Sequence, residues 1–205
     1  MAKVIHVIGN GPLGAPLYNK SPRKGLKLGC NVLPFAVDNI YGTVIADFKM
    51  MKAITAGELT VPGDWILGFR PKLWTERTTG FLMKFGIQIK EFYLTLPEYA
   101  PTYTDFNCGH MCTHYVSNKL NCDEVHMYGF DSIFDFNLIS TTDFVLNSNR
   151  DAFNTHRLAQ NWRPIWEGLF RQFPNTRFVV YHKHGAAKVN LPKNVEVRTG
   201  AINKK

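Results

Sequence analysis

Residues 4–12 read VIHVIGNGP, a short and mostly β-branched run that ends in Gly9, Asn10, Gly11 and Pro12. A run that is apolar at nearly every position is typical of a strand buried on both faces of a parallel sheet. The glycines and the proline predict a tight turn directly after it. Comparable segments predict further strands at residues 26–30, 43–46, 64–69, 87–94, 124–128, 177–181 and 195–197.

Helical composition lies between several of these strands. Helices are predicted at residues 48–56, 108–120 and 151–173, with Pro164 expected to mark a break or a first turn in the last of them. Residues 70–86 are basic and contain glycine, and no element is predicted there. The alternation of strands and helices predicts an α/β fold, a single Rossmann-like domain over residues 1–205 with a mostly parallel, doubly wound sheet.

Composition bounds the class of protein. The chain has 205 residues, of which 45% are hydrophobic and 20% charged, so a packed core is feasible and wholesale disorder is excluded. The formal net charge of +8 favours an anionic partner: a nucleic acid, a nucleotide or an acidic glycan. Four cysteines without a secretory leader indicate reduced thiols, and the apolar N-terminal run is too short for a signal peptide or a membrane span. We therefore expect a soluble, cytoplasmic protein.

Small and polar residues follow four of the predicted strands, and in a parallel sheet ligands sit beyond such carboxyl ends. These residues are Gly9-Asn10-Gly11, Cys30-Asn31, Asp47 and Gly129-Phe130-Asp131-Ser132. Each could be a plain turn former, but the four together favour a nucleotide pocket. Gly9, Gly11 and Gly14 match the spacing of a dinucleotide fingerprint, yet Pro12 and Pro16 interrupt the helix that the motif should open. A nicotinamide dehydrogenase is thereby disfavoured, as is a P-loop kinase, whose lysine pattern is missing.

The order of motifs VIGNGP, GCN, ADFKM, a helix opened by CG, and VHMYGFD resembles bacterial lipooligosaccharide sialyltransferases and short phage-encoded proteins with the same core. The resemblance covers about residues 3–182. It implies a cytidine-based nucleotide-sugar donor bound across the strand ends, with no metal and no further cofactor. For a phage-encoded chain the compartment would be the host cytoplasm.

The resemblance also implies site residues. Asn10 and Asn31 would contact the nucleotide, Gly9 and Gly11 would leave room for it, and His156 would be the general base. The other implied nucleotide-binding residues are Cys108, Gly109, Gly129, Phe130, Asp131 and Ser132. His156 could instead merely flank a helix.

This sequence departs from the family in two places. Cys108 stands where the family has a serine, and Ser132, Ile133 and Phe134 stand where the tyrosines that neutralise the leaving phosphate are expected. Arg150 and Arg157 are candidate phosphate ligands in their place, although solvated arginines at a helix end are the commoner case.

Two other kinds of site are weaker. Cys108, His110, Cys112 and His114 are four potential zinc ligands, but helical spacing turns the histidines away from the cysteines, so no metal site is predicted. His182 and His184 could bind metal or phosphate, though a polar strand end is the simpler explanation.

Basic residues interleave with aromatic ones in another part of the chain. Trp65 and Trp74 flank Arg70 and Lys72, a pattern that a single-stranded nucleic-acid groove would use, while a solvated surface is the commoner outcome.

Two functions remain open at this point. The first is a sialyltransferase-like, metal-independent glycosyltransferase acting on DNA or an anionic glycan. The second is a non-enzymatic phage protein that keeps the pocket, binds a nucleotide or nucleic acid and interferes with a host system. The donor sugar, the acceptor and the oligomeric state do not follow from the sequence.

Overall fold

A computed structural model describes residues 2–18, 24–135, 140, 142, 146, 152–183 and 189–199, with the backbone alone for residues 152–159. Its strands form one sheet of eight parallel strands, so the prediction of an α/β fold with a parallel sheet is confirmed. In chain order the strands are β1 Val4–Ile8, β2 Leu26–Cys30, β3 Gly42–Ile45, β4 Asp64–Leu67, β5 Ile89–Phe92, β6 Glu124–Tyr128, β7 Arg177–Tyr181 and β8 Val195–Arg198.

The sheet order is β5-β4-β3-β2-β1-β6-β7-β8, so the chain winds outward from β1 in one direction and then from β6 in the other. β1 pairs with β2 on one side and with β6 on the other, and Ile8 lies opposite both Gly29 and Tyr128. The connections therefore diverge between β1 and β6, and this point of divergence leaves a crevice at the carboxyl ends of the two strands.

The helices that the structure describes are α1 Phe48–Ala56, α2 Phe69–Arg77, α3 Phe81–Phe85, α4 Cys108–Asn118 and α5 Ala152–Gln172. Both α4 and α5 pack on one face of the sheet, in a core that includes Val7, Val125 and Trp166. The other face is covered by α1 and α3 over β3 and β4, and by an irregular segment around Tyr18 over β1, β6 and β7.

The expected break at Pro164 is wrong, because α5 continues through this residue without interruption. A proline inside a helix removes one hydrogen bond and costs about 3 kcal/mol. The turns that follow compensate, since Ile165, Trp166, Leu169 and Phe170 are all at most 2% exposed and lie on one helical face.

Helix α2 was not predicted from the sequence. Pro71 stands in its first turn, where backbone N–H groups have no intrahelical acceptor and a proline is tolerated. Gly68 precedes the helix as its N-cap residue, so glycine and proline mark the beginning of a helix here and not a loop.

Candidate functional site

A cleft opens at the carboxyl ends of β1, β2, β3 and β6, at the point where the chain changes its winding direction. All ten residues predicted from the sequence to bind the nucleotide line it, namely Gly9, Asn10, Gly11, Asn31, Cys108, Gly109, Gly129, Phe130, Asp131 and Ser132. Further lining residues are Cys30, Asp47, Thr104, Asn107, Ser140, Trp162 and Trp166. The structure thus brings into one cleft residues that lie more than a hundred positions apart in the sequence.

The β1 and β6 turns are held together by their backbones. The N–H of Gly9 donates to the carbonyl of Tyr128 at 2.7 Å, and the N–H of Gly11 donates to that of Gly129 at 2.9 Å. A Cβ on Gly9 would lie 2.5 Å from the Gly129 oxygen, and a Cβ on Gly11 would lie 2.4 Å from the Asp131 carboxyl carbon. The backbone packing of the two turns therefore requires glycine at position 9, whereas a side chain at position 11 would displace the Asp131 carboxyl.

Asp131 ties the β6 turn to the loop that follows β1. Its Oδ2 accepts a hydrogen bond from the Leu13 N–H at 2.8 Å, while its buried Oδ1 has no hydrogen-bond partner among the described residues. Burial raises the pKa of this carboxyl, and the Leu13 N–H offsets part of that rise. Asp131 thus holds the β6 turn to the loop after β1, and one of its two carboxyl oxygens, beside the cleft, stays without a hydrogen-bond partner from the described ranges.

Asn31 forms the opposite wall, at the end of β2. Its φ of 54° is left-handed, a conformation that asparagine tolerates better than most residues. Its Nδ2 donates to Asp47 Oδ2 at 3.3 Å, while its buried Oδ1 has no partner in the described part of the chain. Asp47 also pairs with Arg70 at 3.3 Å, and the Asn10 amide donates to the Cys30 carbonyl at 2.6 Å. A buried amide oxygen without a partner costs free energy, which a donor group reaching it from the cleft would recover.

Helix α4 directs its N-terminus into the cleft. Asn107 caps it, because its side chain accepts a hydrogen bond from the His110 N–H at 3.0 Å and the His110 ring accepts one from the Asn107 N–H at 3.2 Å. The N–H groups of Cys108 and Gly109, which lie on the cleft wall, have no intrahelical acceptor. Together with the helix dipole they form a place for an anionic group such as a phosphate.

The two cysteines of the cleft are buried thiols. The Cys108 thiol donates to the Val44 carbonyl at 2.9 Å, and that of Cys30 contacts the Cys108 carbonyl at 3.8 Å. Burial, followed by the Cys30 thiol, raises the pKa of Cys108 well above its ordinary value. The hydrogen bond with Cys108 lowers the pKa of Cys30, but the Cys112 thiol and burial outweigh it and raise the pKa overall. Both groups are therefore neutral thiols, unsuited to nucleophilic attack.

An aromatic floor closes the cleft. Phe130, Trp162 and Trp166 are each at most 7% exposed, and the Trp166 Nε1 donates to the Ser132 Oγ at 3.1 Å. The two tryptophans come from α5, and no feature of their sequence neighbourhood distinguishes them from ordinary core residues. Ser132, which the sequence placed in the pocket, is thus partly committed to holding α5 against the β6 turn.

The predicted catalytic and phosphate residues lie beyond what the structure describes. His156 and Arg157 fall in the first part of α5, where only the backbone is described, and Arg150 falls outside the described residues. Their predicted roles stay predictions.

The alternative metal ligands find other partners. Cys108 Sγ donates to Val44, whereas His114 bonds the Tyr93 hydroxyl at 2.6 Å and Gln172 at 3.1 Å. No group of three or more His, Cys, Asp or Glu side chains among the described residues is arranged to hold a metal ion. His182 contacts Asp135 at 2.9 Å, and His184 lies outside the described residues.

The basic and aromatic stretch does not form a groove for bases. Trp65 is 3% exposed in β4 and its Nε1 donates to the Val61 carbonyl at 3.2 Å, so it offers no open ring face. The half-buried Trp74 packs beside Phe48 and donates to Thr55.

Comparison with protein-family models, with curated proteins and with solved structures gives no match to this chain. Within the described ranges, no helix is both long and apolar enough to cross a bilayer.

Proposed function

We propose that this chain binds a nucleotide in the cleft between β1 and β6 and uses a nucleotide sugar as a glycosyl donor, as a metal-independent, sialyltransferase-like transferase. The observation that carries the proposal is the convergence of four strand ends and the α4 N-terminus on one cleft at the point where the sheet winding reverses. Open α/β sheets place their ligands at such points.

The described groups supply complementary contacts for a nucleotide. The N–H groups of Cys108 and Gly109 suit a phosphate, because the helix dipole adds to their hydrogen bonds. The unpaired Oδ1 of Asn31 suits an amine or a hydroxyl of the base or ribose. The Cys108 thiol is bonded to Val44, so the helix backbone takes over the role that a serine hydroxyl has in the resembling family.

In the proposed reaction, His156 takes the proton of an acceptor hydroxyl. The acceptor oxygen then forms a bond with the anomeric carbon of the sugar, while the bond from that carbon to the phosphate oxygen breaks. The nucleotide leaves with the electron pair as an anion, and Arg150 and Arg157 are the proposed ligands of its charge. An acidic glycan or DNA is the proposed acceptor class.

A second candidate is a protein that binds the nucleotide without turning it over. One observation favours it: the described lining of the cleft contains no Arg, Lys, His or Tyr side chain. In this case the backbone and Asn31 would suffice to bind a nucleotide, and His156 would not act as a base.

Turnover by the wild type separates the two candidates, and three variants test the residues assigned to the site. His156→Ala should abolish hydrolysis of a cytidine monophosphate sugar and leave nucleotide binding unchanged, whereas Asn31→Gly should weaken binding itself. Asn39→Gly is the matched control, because Asn39 has the same φ of 54° and does not line the cleft. Glycine keeps the left-handed backbone without strain, so only the side chain is tested. Turnover that survives in His156→Ala would refute the assigned base, and nucleotide binding without turnover in the wild type would favour the second candidate.

A further inference from the structure

Three apolar side chains project from the segment that joins α2 to β5. Met83 is 94% exposed, Ile87 is 93% exposed and Leu82 is 52% exposed. They lie in α3 and the short 3-10 helix Gly86–Gln88 that follows it; we call residues 81–88 the α3 knuckle. Among the described residues, Leu94 is the other large hydrophobic side chain with notable exposure, at 37%. Exposed apolar side chains gathered in one short segment indicate a contact surface.

Two buried or half-buried phenylalanines anchor the knuckle to the core, so its packing does not depend on the three exposed side chains. Phe81 is 2% exposed, and its ring centroid lies 4.9 Å from that of Phe85. Phe85 in turn lies 5.8 Å from the ring of Trp65 in β4. Two phenylalanines therefore fix the knuckle to the core, while its neighbouring side chains point outward.

The surroundings of the knuckle are basic. Residues 70–90 contain five Lys or Arg residues and a single acid. Three of the five are ion-paired, Arg70 with Asp47, Lys72 with Glu76 and Lys90 with Asp64. Lys84 and Arg77 are exposed, and neither forms an ion pair with a described residue. The Lys84 ammonium lies 4.9 Å from the centroid of the Phe85 ring, beside the exposed Met83.

The exposed apolar side chains and the cations beside them together indicate which kind of partner the knuckle binds. A second copy of the chain would bring like charges together around the apolar contact, which costs free energy. A nucleic acid would pair with the cations, but it would leave the projecting Leu, Met and Ile side chains without an apolar partner. Exposed apolar side chains accompanied by Arg77 and Lys84 match the interface of an anionic bilayer, where the apolar groups enter the acyl boundary and the cations meet the headgroups.

We propose that the α3 knuckle docks this protein on the surface of an anionic membrane. Leu82, Met83 and Ile87 insert, and Arg77 and Lys84 contact the lipid phosphates. Helix α2 begins beyond the carboxyl end of β4 and the knuckle precedes the amino end of β5, so the knuckle lies at the opposite end of the sheet from the cleft. Docking therefore leaves the cleft open, and the proposal does not depend on the proposed function.

Co-sedimentation of the full chain with vesicles tests the proposal. Binding to mixed phosphatidylcholine and phosphatidylglycerol vesicles is expected to exceed binding to phosphatidylcholine alone, and to weaken with added salt. Met83→Ser with Ile87→Ser should weaken binding roughly tenfold or more, and Lys84→Glu about fivefold or more. Leu94→Ser and Lys193→Glu are the matched controls for lost apolar surface and reversed charge, and both should bind as the wild type does.

Several results would overturn the proposal. The first is wild-type protein that binds vesicles with and without the anionic lipid equally. The second is a double variant that binds as tightly as the wild type. The third is a loss of affinity in the control variants as large as that in the knuckle variants. A concentration-dependent dimer in analytical ultracentrifugation that the double variant abolishes would assign the knuckle to a second copy instead. Because Met83 and Ile87 are almost fully exposed, the double variant should keep the melting temperature of the wild type.

Discussion

Replacing Gly9 with alanine tests whether the β1 and β6 turns touch as closely as described. The new Cβ would lie 2.5 Å from the Gly129 carbonyl oxygen and 3.1 Å from its carbon, both of which are backbone atoms. A side chain could rotate away from such a contact, but here the two turns must separate. Separation would strain the bonds from Gly9 N to Tyr128 O and from Gly11 N to Gly129 O, which measure 2.7 and 2.9 Å.

Overpacking of this kind costs about 1–3 kcal/mol, and weakening of the backbone hydrogen bonds adds roughly 1 kcal/mol. We therefore expect Gly9→Ala to lower the free energy of unfolding by roughly 2–4 kcal/mol. For a chain of this size that lowers the melting temperature by roughly 4–16 °C. Urea denaturation followed by circular dichroism measures the free energy directly.

Gly86→Ala is the matched control. Gly86 has a φ of −58°, and nothing lies within 4 Å of the position that its Cβ would take. An alanine there should be neutral or should stabilise the protein by about 0.4–1 kcal/mol, since it restricts the unfolded chain. If Gly9→Ala proves as stable as the wild type, the two turns do not pack as described and the shape of the cleft is wrong.

Three further outcomes follow from groups near the site. Asn107→Ala should remove the cap of α4 and lower the free energy of unfolding by about 1 kcal/mol, with a thermal melt as the measurement and an unchanged melt as the contrary result. Burial lowers the pKa of His110 to about 3 and that of His114 to about 4, so the native state holds both rings neutral while the unfolded chain protonates them. The free energy of unfolding should therefore be highest above the unfolded pKa of about 6.5. It should fall by up to about 1.4 kcal/mol per pH unit for each ring as the pH drops toward 4. Urea midpoints that stay constant from pH 7 to 5 would contradict this expectation. All four cysteines are buried, so Ellman's reagent at pH 8 should titrate them fast only after denaturant is added, and rapid reaction of the native protein would show that the core is open.

Much of the fold follows from local sequence. The bounds of β1, β2, β6 and β7 agree with the apolar runs, because strands buried on both faces are apolar at nearly every position. The predicted bounds of α1 also agree with the structure, and Gly57 follows the helix as a left-handed C-cap with a φ of 76°. Helices α2 and α3 escaped prediction, since they are short and held by packing that no local pattern displays.

The residues of the candidate site were also predictable in part from local sequence. Glycine and asparagine after parallel strands had to meet at one edge, whatever the order of the strands. The strand order itself, and with it the contribution of Trp162 and Trp166 to the floor of the cleft, depends on contacts between distant segments. The Oδ1 atoms of Asn31 and Asp131, which have no hydrogen-bond partner among the described residues, likewise result from tertiary packing, and residue spacing does not predict them.

The central claim is that the cleft between β1 and β6 binds a nucleotide, and a thermal-shift panel of nucleotides and nucleotide sugars tests it most directly. A ligand present at a hundred times its Kd stabilises the native state by about 2.7 kcal/mol, which for this chain length raises the melting temperature by roughly 5–11 °C. We expect that rise with cytidine monophosphate in the wild type and in Asn39→Gly, and a much smaller rise in Asn31→Gly. No shift with any nucleotide, or an equal shift in Asn31→Gly, would contradict the account.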